Sequence, residues 1–268
     1  MIPIWPDHML LVGCGNMAGQ MLARWLACGL DPARVTVLRP SGRAVADGVR
    51  VVTGYPASLA AGTTVLLGMK PYQLDDVAAG LAPLCAPGTR LISILAGTPL
   101  AELRRRFPAA EIVRAMPNLP VGIGGGVTAL CAEASASAPM REAAEALMTR
   151  LGLAEWVAEA LFNEVTALSG CGPAFLFRFI DAFARAGEAI GLPADQSARM
   201  ALATVRGAAS MAAQASDSPA ILADKVASPG GMTRQGLNVL DADDRLLGLL
   251  TDTLAAARDR GEEMARGE

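Results

Sequence analysis

The chain has 268 residues, of which 52% are hydrophobic and 18% are charged, and its formal net charge is −3 at pH 7. This length suits two domains, and the composition excludes an intrinsically disordered chain and a basic nucleic-acid-binding protein. Five cysteines without CxxC spacing and a single histidine, His8, argue against disulfides, metal sites and a histidine-based triad. We therefore expect chemistry that uses neither imidazole nor a metal.

The N-terminal segment MIPIWPDH lacks the basic start and long apolar stretch of a signal peptide. No run of 18 apolar residues occurs in the sequence. These observations predict a cytoplasmic protein without a membrane or nucleic-acid partner.

The first half alternates short apolar runs with amphipathic segments, a pattern typical of a parallel α/β sheet. A helix is predicted over residues 17–28, because apolar residues recur there at helical spacing and Gly29 follows. Five runs are apolar enough to be strands buried on both faces of a sheet. They are residues 9–12, 35–38, 65–69, 91–95 and 112–115.

The pattern changes after about Gly126, and from Ala138 onward nearly all of the sequence predicts helix. Breaks are expected at Gly152 and at residues 170–173, 191–193, 216–219 and 228–231. We predict an α/β domain over residues 1–158 and an all-helical domain over residues 159–268. The polar C-terminal segment ARDRGEEMARGE is expected to fray.

The segment GCGNMA follows the first predicted strand and opens the first helix. Gly13 permits a tight turn, Gly15 lets a pyrophosphate approach the backbone, and Ala18 lets the helix pack close to the sheet. The alternative is a tight turn with no ligand. The dinucleotide-binding residues predicted in this loop are Gly13, Cys14, Gly15, Asn16 and Met17.

The second predicted strand ends in LRPSGR, where NAD enzymes usually place an acidic residue against the ribose 2′-hydroxyl. Arg39, Ser41 and Arg43 instead offer cationic and hydroxyl donors, which suit a 2′-phosphate. The sequence therefore favours NADPH, with NADH as the alternative cofactor. The competing interpretation is that both arginines are ordinary surface charges.

Three further segments are predicted on the cofactor side. Two of them, at residues 69–71 and 96–98, lie at the carboxyl ends of predicted strands, where ligands of open α/β sheets bind. The third, RAMPNLPVGIGGG, is a rigid loop in which a buried asparagine needs hydrogen-bond partners from a nicotinamide or from nearby backbone. The predicted cofactor-binding residues are Met69, Lys70, Pro71, Ala96, Gly97 and Asn118.

The helical half contains SPGGMT, in which two glycines open a helix between hydroxyl residues. Free backbone N–H groups at such a position form an anion cradle that fits a small carboxylate. The alternative is an ordinary helix start capped by Ser228, with Pro229 in the first turn. The predicted substrate-binding residues are Ser228, Gly230, Gly231, Met232 and Thr233.

Together the segments VGCGNMA, GMKP, SILAGTPL, RAMPNLP, TALSGCGPAF and VASPGGMTRQGLNVLD resemble pyrroline-5-carboxylate reductases in order and spacing over nearly the whole chain. The resemblance implies a Rossmann-like N-terminal domain and an all-α C-terminal dimerisation domain, often assembled into a larger ring of dimers. It also implies that 1-pyrroline-5-carboxylate places its carboxylate on residues 228–233, near a nicotinamide supplied from the other domain, with the helical part contributed by this chain or a partner chain.

Hydride transfer to a cyclic imine requires positioning more than acid–base groups, and we assign Thr233 as the residue that polarises the imine nitrogen. The sequence departs from the family pattern at several positions. Cys171 and Leu119 replace the usual Ser and Thr, Ser218 replaces a frequent His, and Tyr55 aligns with an Asn near the adenosine. Met232 replaces Thr or Ala beside the substrate and bears on ring size.

Three alternatives remain open. The first is a related NADP-dependent reductase of another imine or of a 3-hydroxy acid, although residues 175–190 lack the lysine that the latter class uses. The second is a dinucleotide-binding regulatory protein without catalysis. The third is an oligomeric scaffold, which a turnover assay separates from an enzyme.

Overall fold

The computed structural model describes residues 5–266. The chain divides into two compact units, one that extends to Cys171 and includes the chain from Ala257 onward, and one formed by Gly172–Ala256. The domain boundary predicted after residue 158 lies within the first unit and remains a prediction.

The first unit contains one sheet, whose strands are β1 (Met9–Val12), β2 (Val35–Leu38), β3 (Arg50–Val52), β4 (Thr64–Leu67), β5 (Arg90–Ser93), β6 (Glu111–Pro117), β7 (Gly126–Ala132) and β8 (Gly152–Trp156). Their order is β3-β2-β1-β4-β5-β6-β7-β8. Neighbouring strands are parallel except β6 and β7, which are antiparallel. The first six strands have the order of a dinucleotide-binding doubly wound sheet, which confirms the predicted α/β, Rossmann-like class.

Helices cover the sheet and bury its apolar side chains in two clusters. Trp25 and Leu147 lie in one cluster, where the Trp25 indole donates a hydrogen bond to the Leu147 carbonyl at 2.9 Å. Phe107 and Phe162 lie in the other cluster. The helices of this unit are α1 (Asn16–Ala27), α2 (Leu74–Leu81), α3 (Leu100–Arg106), α4 (Ala138–Met148) and α5 (Phe162–Val165).

The second unit is helical, and most of its residues are exposed. Of its residues only Ser197, Ala201 and Ala227 are buried, and many large apolar side chains are exposed. Within residues 5–266, the helical run from Glu159 to Ala189 is long and apolar enough to cross a membrane by length and composition. The helices are α6 (Gly172–Ala189), α7 (Ala194–Gln214), α8 (Pro219–Val226), α9 (Met232–Asp241) and α10 (Arg245–Arg266), of which α10 continues into the first unit.

All five predicted strands are present, although β4 and β5 each end two residues earlier than expected. The break expected at Gly152 is present, but the expectation of helix directly after it was wrong, because residues 152–156 form a strand. Gly152 has φ +136° and lies against the backbone of Gly126, and it starts the edge strand β8, which pairs with β7. The expected fraying was also wrong as far as Arg266, because α10 continues to that residue and Gly261 packs against Asn163.

Candidate functional site

The loop between β1 and α1 adopts the geometry of a phosphate cradle. Gly13 has φ +78°, and a Cβ at this position would lie 2.8 Å from the Met69 backbone nitrogen. Gly15 caps α1 without a side-chain hydrogen bond, and a Cβ there would meet nothing within 4 Å. The first-turn amides of α1 therefore face open space, with no acidic residue beside them.

A cavity of about 490 Å³ lies at the carboxyl ends of β1, β2 and β4. Four of its lining residues come from the segment after β3 and from α2 and the turn before it: Thr53, Tyr55, Gln73 and Val77. Thr53, Gln73 and Val77 carry no signal in the sequence, whereas Tyr55 stands out there as a departure from the family pattern. The predicted cofactor residues that line it are Gly13, Cys14, Gly15, Arg39, Ser41, Met69 and Lys70. The glycine loop and the end of β2, which the sequence assigns separately to the cofactor, therefore line one cavity, while their contacts with a cofactor remain a prediction.

Arg39 and Arg43 differ in position. Arg39 lines the large cavity and also a neighbouring cavity of about 260 Å³, whereas Arg43 lines only the smaller one. The Arg39 guanidinium donates a hydrogen bond to the Arg43 carbonyl at 3.4 Å, and the backbone N–H of Arg43 donates to Ser41 Oγ. Among the ion pairs of residues 5–266, neither arginine has a carboxylate partner. Both cations are therefore available to an anion.

Cys14 and Lys70 both line the large cavity, and each has a defined local interaction. Burial raises the pKa of the Cys14 thiol above its ordinary value, against the opposing effect of the Arg39 charge, so the thiol is neutral at pH 7. Lys70 is exposed, and its backbone N–H donates a hydrogen bond to Gln73 Oε1 at 3.1 Å. In the described range 5–266, no group of three His, Cys, Asp or Glu side chains could hold a metal ion.

The remaining predicted cofactor residues lie outside the cavity lining. Asn118 is buried, and its carboxamide donates to the Ser169 carbonyl at 2.9 Å and accepts from the Val127 N–H at 2.8 Å. Nearby backbone therefore supplies the hydrogen-bond partners that this asparagine needs. The other residues are Asn16 and Met17 in the first turn of α1, Pro71 in the turn after Lys70, and Ala96 and Gly97 in the exposed turn after β5.

The predicted substrate loop forms a second uncapped helix start. Gly231 is the N-cap of α9 and makes no side-chain cap, and Gly230 has φ +70°. A Cβ on Gly231 would collide with Ser228 Oγ. Met232 and Thr233 are both exposed in the first turn. The alternative in which Ser228 caps this helix is wrong, and the first amides of α9 remain open to an anion.

A buried arginine in β6 was missed as a functional candidate. Arg114 is 5% exposed, its Nη1 lies 3.3 Å from Glu159 Oε1, and its guanidinium stacks on the Phe162 ring at 4.0 Å. Glu159 Oε1 also accepts a hydrogen bond from the Leu100 N–H at 2.7 Å. Burial lowers the pKa of Arg114, whose Nε has no hydrogen-bond partner among residues 5–266. These contacts fasten residues 159–162 to the sheet.

Comparisons with known proteins agree with this architecture. A family model described as pyrroline-5-carboxylate reductase dimerisation matches residues 159–264, and one described as NADP oxidoreductase coenzyme F420-dependent matches residues 9–97. The pyrroline-5-carboxylate reductase of Pseudomonas aeruginosa is 34% identical over 96% of this chain and 97% of its own length. That of Synechocystis is 35% identical over 96% and 97%.

Solved structures show the same similarity. A pyrroline-5-carboxylate reductase from Coxiella burnetii superposes with a TM-score of 0.88 at 32% identity, covering 97% of this chain and 98% of that one. A Plasmodium falciparum pyrroline carboxylate reductase with NADP bound has a TM-score of 0.80 at 21% identity over 97% and 98%, which supports the fold alone. With relatives above 30% identity along nearly its whole length, this chain belongs to the pyrroline-5-carboxylate reductase family.

Proposed function

We propose that this chain is an NADPH-dependent oxidoreductase that reduces 1-pyrroline-5-carboxylate to proline. The observation that carries the proposal is the open helix start at residues 228–233 in a chain of this reductase family. A small carboxylate fits such a cradle, because unpaired N–H groups and the positive end of the helix dipole both attract anions. A second open helix start, at Gly15, supports binding of a dinucleotide diphosphate.

The residues present fit a phosphorylated dinucleotide. The space beside Gly15 leaves its backbone open to a diphosphate, and Arg39 in the same cavity has no competing carboxylate among residues 5–266. We propose that Arg39 is the main contact to the 2′-phosphate and that Ser41 and Arg43 support it. The preference for NADPH over NADH follows from this assignment, because a bare ribose diol offers Arg39 no charged partner.

The reduced nicotinamide supplies, when bound, the hydride that adds to the C=N carbon of the imine. In our proposal the amides of Met232 and Thr233 hold the substrate carboxylate, because the Gly231 N–H already donates to the Ser228 carbonyl at 3.0 Å. Ser228 Oγ donates a further hydrogen bond to the carboxylate. The Thr233 hydroxyl donates to the imine nitrogen and draws electron density from the C=N bond. The proton that the nitrogen carries in the product comes with the protonated imine or from solvent water, so positioning rather than a dedicated acid carries the catalysis.

We also propose that the working form is a homodimer. The helical unit buries few side chains on its own and exposes many large apolar ones, and the dimerisation model matches this part of the chain. A second copy covering that surface accounts for the exposed apolar helix better than a lipid bilayer, in view of the family. The cytoplasmic location and a larger ring of dimers remain predictions.

The first test follows NADPH oxidation by the full-length protein with 1-pyrroline-5-carboxylate and, in parallel, with its six-membered homologue, each repeated with NADH. Turnover of the five-membered imine with a preference for NADPH is the expected result. Turnover of only the larger ring would move the substrate to another cyclic imine. Absence of turnover with both imines would favour a regulatory protein or scaffold and contradict the proposal.

The second test concerns Thr233. Thr233→Ala should lower kcat far more than it weakens NADPH binding measured by calorimetry, and Thr233→Ser should restore most of the rate. Gln235→Ala is a matched control, since Gln235 is exposed on the same helix beyond the cradle. Equal losses of rate and of NADPH affinity in Thr233→Ala would remove the polarising role.

A further inference from the structure

Tyr55 occupies an unusual position for a half-exposed aromatic residue. Its ring lies against Gly80 of α2, where a Cβ would collide with Cε2 and would lie 2.6 Å from Cζ and 2.7 Å from Cδ2. Both distances are too short for an approach to Cε2 in the plane of the ring, so Gly80 lies against one face of the ring. The Tyr55 hydroxyl also donates a hydrogen bond to the Val77 carbonyl at 3.4 Å.

The same ring is a wall of the large cavity. Tyr55 is 41% exposed and lines the 490 Å³ cavity together with Thr53, Gln73 and Val77. It also lines a separate cavity of about 390 Å³, so that the ring stands between the two spaces. Since one face rests on Gly80, the opposite face is the one that a ligand can cover.

The chemistry of a phosphorylated dinucleotide determines what lies beside this wall. In NADPH the ribose that carries the 2′-phosphate also carries the adenine, so a phosphate held by Arg39 keeps the base within one sugar of that residue. Arg39 and Tyr55 line one cavity. A flat heteroaromatic base gains most from an aromatic face, and such stacking tolerates changes in ring substituents.

We infer that Tyr55, held in place by the bare backbone of Gly80, is the stacking platform for the adenine of the dinucleotide. This inference rests on the proposed function and extends it to the base-binding part of the cavity. Gly80 matters because a methyl group there would displace the ring, although alanine is the better helix former. Tyr55 is then a binding residue and takes no part in hydride transfer.

The test measures binding by calorimetry, without turnover, using NADPH and adenosine 2′,5′-bisphosphate as ligands of the full-length protein. Tyr55→Ala should lower the affinity for both ligands by a similar factor, about tenfold. Tyr55→Phe should bind both ligands with an affinity within about twofold of wild type, because it keeps the ring. Gly80→Ala should weaken both ligands while its thermal stability stays equal or rises. Tyr72→Ala is the matched control, since Tyr72 is exposed nearby but does not line the cavity.

The outcomes separate this inference from the proposed function. Wild-type affinity of Tyr55→Ala for both ligands would overturn the inference while leaving the reductase assignment intact. Wild-type affinity of Gly80→Ala would overturn the role of Gly80 as the support of the ring. If the wild-type protein bound neither ligand, the proposed function itself would fail.

Discussion

A Cβ built on Gly68 would lie 2.8 Å from the Cβ of Ala18. Gly68 directly follows β4, and Ala18 is in the first turn of α1, so the helix touches the sheet where the phosphate loop begins. The same Cβ would lie 3.3 Å from the Gly13 carbonyl oxygen. The absence of a side chain at Gly68 therefore sets how closely α1 and its loop approach the strand ends.

Gly68→Ala should consequently affect both stability and ligand binding. The added methyl group overpacks the contact between α1 and β4, which we expect to cost about 1–3 kcal/mol of the free energy of unfolding. It should also lower the affinity for NADPH, because the Gly13 carbonyl has to move away from the added methyl group. Urea unfolding and calorimetry measure the two effects. Gly54→Ala is the control, since a Cβ on Gly54 meets nothing within 4 Å, and equal stability of both variants would contradict the prediction.

Gly15→Ala should have a different effect. Gly15 has φ −79°, which alanine adopts without strain, and its Cβ position is open. We therefore expect a change of less than about 1 kcal/mol in the free energy of unfolding but at least a tenfold loss of NADPH affinity, because the methyl group occupies the space of the diphosphate. Retained affinity would show that the diphosphate lies elsewhere.

The contrast between these glycines shows what the sequence could predict. The spacing of GCGNMA predicted Gly13, Gly15 and Ala18, because their roles are local to one turn. The sequence did not indicate Gly68, because its requirement comes from a residue on another element. Three strands were missed: β3 has three residues, β7 follows the glycine-rich segment at which the pattern was interpreted as changing towards helix, and β8 is an edge strand with alternate residues exposed.

In the candidate site, too, the features that are local in sequence could be predicted, and those that depend on distant residues could not. Arg39 and Ser41 line the large cavity and could be singled out from the sequence because they follow a recognisable strand, while their contact with the cofactor remains a prediction. The hydrogen-bond partner of Asn118 could not be predicted from the sequence, because Ser169 is 51 residues away. Arg114 stands in an apolar strand that was predicted, but the pairing with Glu159 that makes its charge tolerable depends on tertiary folding.

Arg39→Ala and Arg43→Ala should lower the affinity for NADPH by different amounts. Each charge-assisted hydrogen bond lost costs about 1.5–3 kcal/mol, and only Arg39 lines the large cavity. We expect the full loss for Arg39→Ala, a smaller loss for Arg43→Ala, and little change in NADH affinity for either variant. Titration of both cofactors against both variants checks this order. An equal loss of NADH affinity in Arg39→Ala would contradict a contact specific to the 2′-phosphate.

Cys131 should make the stability of the protein sensitive to alkaline pH. It pairs with Arg114 across β6 and β7, and burial raises the pKa of its thiol from 9.0 to about 12. Between these values the unfolded chain loses the proton while the native chain keeps it, so this contribution to stability is present below pH 9 and falls as pH rises. The slope is about 1.4 kcal/mol per pH unit.

Cys131→Ala tests this expectation by removing the titrating group. Urea unfolding of wild type and variant at about pH 8 and about pH 10.5 should show a smaller fall in the variant, because the loss of packing is the same at both pH values. Cys28→Ala is a control at a partly exposed thiol at the end of α1, outside the lining of the large cavity. Identical pH dependence of wild type and Cys131→Ala would show that the buried thiol does not contribute.

The exposed aromatic residues of α6 should hold two copies of the chain together. Phe179 and Phe183 stack with their ring centroids 5.9 Å apart, and they are 50% and 45% exposed. Phe183→Arg places a charge on that apolar surface, so we expect a shift from dimer to monomer and a melting temperature that no longer rises with protein concentration. Sedimentation and thermal melts at several concentrations measure both. Leu153→Arg, at a residue 58% exposed but outside the matched dimerisation region, should leave the dimer intact. A Phe183→Arg protein that remained dimeric would place the interface on another face of the helical unit.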